Sequence, residues 1–331
     1  MVKVYMKMNA TIKAELISIG AIDIDPALLG RITIPTAGPG AGGKAFFFRS
    51  GKHRVRLVVD SGSPLRAVKD KGDIVILKGG KELVRGTIEE ELIHCPEQAY
   101  ITMSERCIYD CKFCPVPKLK GKVKSTEELL ALVEEAYNLG KMKGISITSG
   151  VEVSPEKEVD RAVELVKALR KYNVTIGVSV YPTKDSSRLL KDAGASEIKY
   201  NVETMDRELY DKYCKKPPLD FTLECLKDAV KIFGKNHVFT NFIVGLGETD
   251  ETVEKYYEEL ARMGVIPIIR AVGVHPLRFG ELEAERPTAK RLLKLAKMAR
   301  RILDKYGLDA SVSETMCLPC TGCDLNPHID L

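Results

Sequence analysis

The 331-residue sequence predicts an α/β protein whose main domain is a partial (β/α)6 barrel. Apolar, strand-like segments alternate with amphipathic helical segments from residue 98 to residue 305, a pattern typical of a parallel sheet covered by helices. Residues 1–97 instead contain short apolar runs divided by Gly, Pro and Ser, which indicates a small β-rich module. Residues 306–331 form a short tail that carries three cysteines. We therefore expect three domains with these boundaries.

The β-rich module is predicted from three runs of strand-like residues, which lie at 44–50, 53–60 and 72–80. Alternation with a period of two, clearest in the second run, places one face of a strand in a core. The glycine-rich segment 35–43 is expected to be a flexible loop. The alternative, a phosphate-binding nest, would need the Lys-Ser/Thr pair and the following helix of a P-loop, and the sequence has neither here.

The barrel domain is predicted element by element. Two helices have clear start signals: Ser125 and Glu128 form a capping-box pattern, and Ser154 precedes Pro155 at the first helical position. A long amphipathic helix over 288–307 ends the domain. The predicted strands lie at 99–104, 144–150, 175–181, 196–203, 237–247 and 266–274.

Composition bounds the environment and the partners. The chain is 44% hydrophobic and 29% charged, and it contains neither an apolar run long enough for a membrane span nor a secretory leader. We therefore expect a cytoplasmic protein without a membrane partner. The net charge of +5 is modest and dispersed, so a nucleic-acid partner is not expected. In a reducing compartment, clustered cysteines indicate metal ligands or catalysts.

The first cysteine set, Cys107, Cys111 and Cys114, has C-x3-C-x2-C spacing and follows the first predicted barrel strand. Three thiolates can bind three irons of a [4Fe–4S] cluster and leave the fourth iron without a protein ligand. The carboxyl ends of barrel strands are where such folds build active sites. A zinc site that borrows a fourth ligand is the alternative.

The segment "CIYDCKFC", residues 107–114, resembles the signature of the radical S-adenosylmethionine (SAM) superfamily. The resemblance implies that Cys107, Cys111 and Cys114 are catalytic, as ligands of a [4Fe–4S] cluster whose open iron binds SAM. Reductive cleavage of SAM would then give a 5′-deoxyadenosyl radical that abstracts hydrogen from an unactivated carbon. Tyr109 and Phe113 would lie near the adenine.

The resemblance continues at the ends of later strands, where it implies further SAM-binding residues. The segment after the second strand departs from the Gly-Gly-Glu that is usual in the family. The residues implied are Thr148, Ser149 and Gly150 near the SAM amino group, Asn201 and Glu203 near the ribose or methionine, and Gly245, Gly247 and Glu248 near the adenine.

The second cysteine set, Cys317, Cys320 and Cys323, has the C-x2-C-x2-C spacing of another iron–sulfur site. We expect an auxiliary [4Fe–4S] cluster here, held by the tail rather than by a helix. The tail has little apolar surface, so we expect the metal centre to order it. Ser313 or Cys95 could supply a fourth ligand. A zinc ribbon completed by Cys95 or His328 is the alternative.

Two sets of cysteines resemble those of the sulfur-inserting branch of the superfamily, which includes biotin synthase and lipoyl synthase. "YNVET", "VGLGETDE" and "HPLRF" are most similar to lipoyl synthase, and the carboxyl-terminal second set resembles the archaeal type made of two radical SAM proteins. The resemblance implies sulfur insertion at C6 or C8, or both, of a protein-bound octanoyl-lysine, with the auxiliary cluster as sulfur donor.

The implied partners are an octanoylated lipoyl carrier protein or domain, a companion radical SAM protein and an electron donor such as ferredoxin. The alternative function is modification of a peptide or small molecule, with the auxiliary cluster used for electron transfer or substrate anchoring. Biotin synthase-like sulfur insertion also fits this pattern.

Four further residues are also considered. Cys214 and Cys225 lie in a helical stretch and are expected to be buried structural thiols, with ligation of an auxiliary metal group as the alternative. His275 and Arg278 follow the sixth barrel strand, where they would contact SAM or substrate or belong to a solvated loop.

Overall fold

The computed structural model describes residues 7–30 and 32–331. Residues 1–6 and 31, which belong to the predicted β-rich module, lie outside the described part. The expectation that the amino terminus is not a secretory leader concerns these first residues. The described chain contains a closed six-stranded barrel and an open, curled seven-stranded sheet. The predicted α/β class is confirmed, and the β-rich module is a separate closed barrel.

The amino-terminal barrel has the strand order β1-β3-β2-β6-β5-β4. Its first strand runs parallel to both neighbours, and the other pairs are antiparallel. The three predicted runs form β2, β3 and β5. The strands are β1 (Ala21–Ile24), β2 (Ala45–Ser50), β3 (His53–Val59), β4 (Leu65–Asp70), β5 (Asp73–Lys78) and β6 (Lys81–Glu89).

The open sheet contains six parallel strands in chain order, β8 to β13, and one antiparallel edge strand, β7, that pairs with β8. This is a half-barrel rather than a closed one. Its strands are β7 (His94–Cys95), β8 (Gln98–Thr102), β9 (Gly144–Thr148), β10 (Thr175–Ser179), β11 (Glu197–Lys199), β12 (Val238–Val244) and β13 (Ile266–Ala271).

Helices pack on the outer face of the half-barrel, and their start signals are those that the sequence predicts. Ser125 and Glu128 form the capping box, and Ser154 accepts a hydrogen bond from the amide of Lys157. The helices are α1 (Ala10–Ile19), α2 (Thr126–Asn138), α3 (Pro155–Leu169), α4 (Ser186–Ala193), α5 (Arg207–Tyr213), α6 (Leu219–Phe233), α7 (Asp250–Arg262), α8 (Ala289–Tyr306) and α9 (Cys317–Cys320).

Helix α1 is an element that the sequence reading did not predict. It contacts β3 and α8, and several of its residues, including Leu16 and Ile17, are buried. Among the residues that the structure describes, none of the helices is both long and apolar enough to cross a membrane.

The inner face of the half-barrel is polar. On β9, Ile145 and Ile147 are fully buried, whereas Ser146 and Thr148 alternate with them. Because side chains alternate between the two faces of a strand, the apolar set packs under the helices and the polar set faces the interior. Glu197 and Lys199 on β11 follow the same alternation around Ile198.

The tail crosses the amino-terminal ends of the strands. The amide of Met316 donates to Gln98 Oε1 at 2.7 Å and to Ser146 Oγ at 2.8 Å. Gly177 makes room for this crossing, since a Cβ there would lie 2.0 Å from Thr315 Oγ1. Residues 314–316 therefore close the far end of the half-barrel.

Candidate active site

The first cysteine set lies on the loop that follows β8, residues 103–118, which we call the cysteine loop. Backbone hydrogen bonds fix this loop to neighbouring strand ends: Gly150 donates to the Ser104 carbonyl at 2.9 Å, and Ile108 donates to the Val151 carbonyl at 2.7 Å. The set therefore lies at the carboxyl-end mouth of the half-barrel, as the sequence predicts.

The three thiols of this set lie close enough to influence one another. Burial raises the pKa of Cys111 to about 11 and that of Cys114 to about 12, and repulsion from Cys107 adds to both shifts. A coordinated metal would reverse this, because a thiol bound to a metal cation is deprotonated. Half-buried thiols with raised pKa values are poor free nucleophiles, so this set fits metal ligands better.

In the part of the chain that the structure describes, no three His, Cys, Asp or Glu side chains converge as they would around a single metal ion. The three cysteines of the cysteine loop supply three thiolates, and a cubane binds each thiolate through a different iron. This donor set fits a cubane that keeps one iron free of protein ligands.

Thr148, Ser149 and Gly150 support the cysteine loop from below. Ser149 Oγ accepts a hydrogen bond from the Ser104 amide at 3.1 Å and donates to Glu158 at 2.7 Å. A Cβ on Gly150 would lie 2.1 Å from the Arg106 carbonyl oxygen, so the loop can pass here only over glycine.

Arg278 clamps the cysteine loop. Its side chain is fully buried, and its Nε donates to the Cys114 carbonyl at 2.7 Å. Its Nη2 pairs with Asp110 at 2.6 Å and its Nη1 with Glu281 at 2.8 Å. Arg278 therefore does not lie in a solvated loop; it contacts the cysteine loop and Glu281. His275 is a turn residue whose Nδ1 accepts from the Leu277 amide.

The aromatic residues of the signature are placed differently. Phe113 is buried in the core, whereas Tyr109 is half-buried with its ring centroid 5.1 Å from that of Tyr181. Burial raises the pKa of Tyr109 to about 12, and Tyr181 adds to the shift.

Asn201 and Glu203 follow β11 and reach the interior. Asn201 accepts the Asn241 amide through Oδ1 at 3.2 Å, and its carbonyl accepts Lys216 Nζ at 2.7 Å. Glu203 has a φ of 68°, a strained value for a residue with a side chain. Burial raises its pKa, while Lys216 and Lys199 oppose the shift.

Gly245, Gly247 and Glu248 form a rigid turn after β12. The Glu248 carboxylate accepts the amides of Gly245 at 2.7 Å and Leu246 at 2.8 Å, and it pairs with Arg291 at 2.9 Å. Positive φ values of 102° at Gly245 and 119° at Gly247 explain the glycines. In this structure Glu248 shapes the turn from within.

The second cysteine set begins on the one-turn helix α9, and the expectation that no helix carries it is wrong. Positive φ values at Met316 and Thr321 bracket this turn. The Sγ of Cys317 lies 3.5 Å from Lys199 Nζ. Protein contacts also hold the tail: Lys13 and Asp330 form a fully buried ion pair of 2.7 Å.

A cationic shell surrounds the second set. Burial opposes the charge of Arg270, but attraction to Cys323 and Cys317 outweighs it and raises the pKa of the guanidinium. Burial raises the pKa of the Cys323 thiol, and the cations of Arg270 and Arg56 oppose that shift. The Nε and Nη2 of Arg56 are buried without a hydrogen-bond partner among the residues that the structure describes. Orphaned cationic donors fit an anionic group, such as a thiolate-bound iron–sulfur cluster.

Two of the candidate fourth ligands are engaged elsewhere. Ser313 Oγ donates to Glu197 at 3.0 Å, at the amino-terminal end of β11. His328 accepts the Ala310 amide through Nδ1 and contacts Asp304 through Nε2. Neither side chain points to the second set, so the structure does not support Ser313 or His328 as its ligand.

Both cysteine sets lie on the same interior. Glu203 is close enough to Cys111 and Cys114 to raise the pKa of both thiols. The same carboxylate interacts with Lys199 and Arg270. Since these two cations contact the second set, a short layer of charged side chains separates the two sites.

Lys199 and Arg270 were missed as functional candidates. Arg270 is a single cation inside an otherwise apolar strand, and Lys199 lies on a short strand with one other charged residue, Glu197. Such cations are a signal because buried charges need partners. Cys214 and Cys225 are buried, as predicted. Cys214 interacts with Cys111 across the base of the cysteine loop.

Comparisons with curated proteins identify distant relatives. Ribosomal protein uS12 methylthiotransferase RimO of Campylobacter jejuni is 26% identical over 239 residues, 68% of this chain and 54% of that protein. Lipoyl synthase of Haemophilus influenzae is 26% identical over 186 residues, 54% of this chain and 58% of that protein. GTP 3′,8-cyclase of Aliarcobacter butzleri is 24% identical over 156 residues, 45% of this chain and 48% of that protein. The chain thus spans about half the length of these relatives.

Solved structures show the same fold at low identity. Methylornithine synthase (PylB) has a TM-score of 0.51 and 18% identity over 63% of this chain and 62% of that one. The FeFe-hydrogenase maturase HydG from Carboxydothermus hydrogenoformans has a TM-score of 0.50 and 17% identity, over 63% and 52%. Residues 101–260 match the family model "Radical SAM superfamily". This segment, which contains the cysteine loop and strands β9 to β12, belongs to the radical SAM superfamily.

Proposed function

We propose that this chain is a sulfur-inserting radical SAM enzyme of the lipoyl synthase type, acting at C6 or C8, or both, of a protein-bound octanoyl-lysine. One observation carries the proposal: two cysteine sets, more than 200 residues apart in sequence, open onto one polar interior. The first lies at the mouth on the cysteine loop and the second lies deeper, on the tail.

The similarity to relatives named lipoyl synthase and methylthiotransferase supports sulfur chemistry. Since each relative is matched over about half of its length, substrate and partners belong to the proposal alone. Membership of the superfamily implies a [4Fe–4S] cluster and SAM at the first set. When bound, this pair supplies a carbon-centred radical strong enough to break an unactivated C–H bond.

The residues of the chain prepare the site for that chemistry. Arg278 fixes the backbone of Cys114, and Gly150 lets the cysteine loop lie close to β9. Lys199 and Arg270 lie between the sets and balance thiolate charge at the second one. Closure of the far end by the tail keeps water from entering behind the substrate.

The second site fits an auxiliary cluster by its donor chemistry: three cysteines and the unpartnered N–H groups of Arg56. In the proposed reaction this group is the sulfur source. The substrate would be an octanoylated carrier protein or domain that presents its acyl chain at the mouth. A companion radical SAM protein and ferredoxin complete the proposed partners.

A second candidate keeps the radical site but uses the auxiliary cluster for electron transfer or substrate anchoring. The similarity to GTP 3′,8-cyclase favours it, because that name describes ring formation without sulfur. In this case the substrate would be a peptide or a small molecule.

Mass spectrometry of an octanoyl-lysine peptide tests the proposal. Anaerobically reconstituted protein with SAM and reductant should convert the peptide to a product whose mass is larger by the added sulfur. The assay is run both with and without a companion protein. The triple variant Cys317/Cys320/Cys323→Ala should still form 5′-deoxyadenosine but add no sulfur, and its iron should fall from about eight to about four per chain. Cys225→Ala, a buried cysteine outside both sites, is the matched control.

The outcomes separate the hypotheses. Sulfur addition by the triple variant would rule out the second set as the donor. Formation of 5′-deoxyadenosine without addition of sulfur to this peptide would favour the second candidate.

A further inference from the structure

We propose that Cys95 is the fourth protein ligand of the iron–sulfur cluster at the second cysteine set. The inference rests on the proposed function only in requiring that this set holds a cluster. A [4Fe–4S] cluster saturated by protein is usually held by four cysteine thiolates, whereas the tail supplies three.

The β7–β8 hairpin places Cys95 beside the tail. Cys95 lies opposite Gln98 in the antiparallel register. The side chain of Gln98 binds Met316 from both sides: Oε1 accepts the Met316 amide at 2.7 Å, and Nε2 donates to its carbonyl at 3.1 Å. The hairpin thus grips the residue that directly precedes Cys317.

The thiol of Cys95 faces the second set. Cys95 is 1% exposed, and its thiol lies in contact with the thiol of Cys320. Arg54 supports the same junction, since it lies 3.5 Å from the Cys320 carbonyl and 3.1 Å from Glu97. A fourth buried cysteine beside the three of the tail supplies the thiolate that a protein-saturated cluster needs.

The neighbouring His94 is the rival ligand. Within the described part of the chain, its Nδ1 is buried without a hydrogen-bond partner, and its φ of 64° is strained. Its ring, however, packs edge-on against Tyr100 with centroids 5.2 Å apart, whereas the thiol of Cys95 contacts Cys320 itself. We therefore assign the ligand to Cys95.

The test isolates the second cluster. In a parent variant, Cys107/Cys111/Cys114→Ala, iron at the first set is removed, and the remaining iron and sulfide, Mössbauer spectrum and EPR spectrum report on the second set. Into this parent we would introduce Cys95→Ala, Cys95→Ser, His94→Ala and, as matched control, Cys225→Ser. Thermal unfolding of each apoprotein checks that the fold is kept.

The expected result is a distinct Mössbauer site for one iron in Cys95→Ala, and conversion to a [3Fe–4S] EPR signal on mild oxidation about fivefold faster than in the parent. Cys95→Ser, which keeps size and polarity, should show an oxygen-ligated iron. Cys225→Ser should match the parent.

Unchanged spectra and oxidation rates in both Cys95 variants would overturn the assignment, and a change confined to His94→Ala would transfer it to the histidine. A parent without iron at the second set would instead overturn the auxiliary cluster itself, and with it the proposed function. The two failures are therefore distinguishable.

Discussion

Gly150 lies at the end of β9, directly beneath the cysteine loop. A methyl group there would lie 2.1 Å from the Arg106 carbonyl oxygen and 3.3 Å from Cys107 Cβ. Backbone atoms cannot move aside as flexible side chains do, so the loop itself would have to shift. The absence of a Cβ at residue 150 therefore determines how closely the cysteine loop approaches β9.

We expect Gly150→Ala to displace the cysteine loop at a cost of about 1–3 kcal/mol, the usual cost of overpacking. Iron bound at the first set and the rate of 5′-deoxyadenosine formation should both fall at least several-fold. Gly30→Ala is the control, because, apart from its chain neighbours, no atom of the residues that the structure describes lies within 4 Å of a Cβ there. Full iron and full rate in Gly150→Ala would show that the loop is not held at this point.

Arg278 is the second residue on which the loop depends. Arg278→Gln removes the hydrogen bond to the Cys114 carbonyl and the ion pair with Asp110. Hydrogen bonds of charged groups contribute about 1.5–3 kcal/mol each, so the loop should loosen. We expect faster loss of iron to a chelator, measured in the Cys317/Cys320/Cys323→Ala background. The exposed Arg188→Gln should lose iron at the unmodified rate, and equal rates in the two variants would contradict the clamp.

At the scale of elements, the tail is the part with the most distant contacts. Lys13 on α1 and Asp330 form an ion pair in which neither side chain is exposed, and Asp330 also contacts His53 of β3 at 2.9 Å. Gly322 packs under the ring of Phe47, where a Cβ would lie 2.4 Å from the ring edge. The tail is thus bound to the amino-terminal barrel as well as to the half-barrel.

Asp330→Asn should lower the free energy of unfolding by about 3–5 kcal/mol, because it leaves the Lys13 charge buried without its partner. The double variant Lys13→Met/Asp330→Asn should recover part of this loss, since the unpaired charge is gone. Urea unfolding of the two single variants and the double variant measures the coupling. Strictly additive losses would mean that the pair contributes nothing as a pair.

The sequence predicts the elements of the half-barrel well because their signals are local. Ser125 and Ser154 mark helix starts by their own side chains, and the period of two separates Ile145 from Ser146. Helix α1 escaped prediction because it is covered by β3 on one side and α8 on another. A helix apolar on several sides loses its amphipathic period, and β-branched residues such as Ile12 and Ile17 resemble a strand.

In the candidate site, too, local sequence patterns predicted some features, whereas contacts between distant residues could not be predicted. The two cysteine sets were readable because spacing of three and four residues is a local pattern. The interaction of Cys95 with Cys320 and the hydrogen bond of Arg278 to Cys114 join residues far apart in sequence, and no local pattern encodes them. The cationic shell was likewise assembled by topology, from β3, β11 and β13.

At the scale of the whole molecule, the tail should behave as part of the core. The amides of Thr315 and Met316 donate to the buried side chains of Glu197 and Ser146. Hydrogen exchange in the tail should therefore require near-global unfolding and be at least about 100-fold slower than in the exposed turn 60–63. Mass spectrometry of peptic fragments measures this, and Asp330→Asn should speed exchange in the tail fragment first. Exchange in that fragment as fast as in the turn would contradict a docked tail.

Residues 314–316 cover the amino-terminal ends of the half-barrel strands, opposite the cysteine loop. The tail thus covers one end of the interior, and the mouth with the cysteine loop lies at the other end. A substrate chain that enters through the mouth would have to leave through the mouth before the next substrate binds. Product release would then limit turnover together with bond breaking.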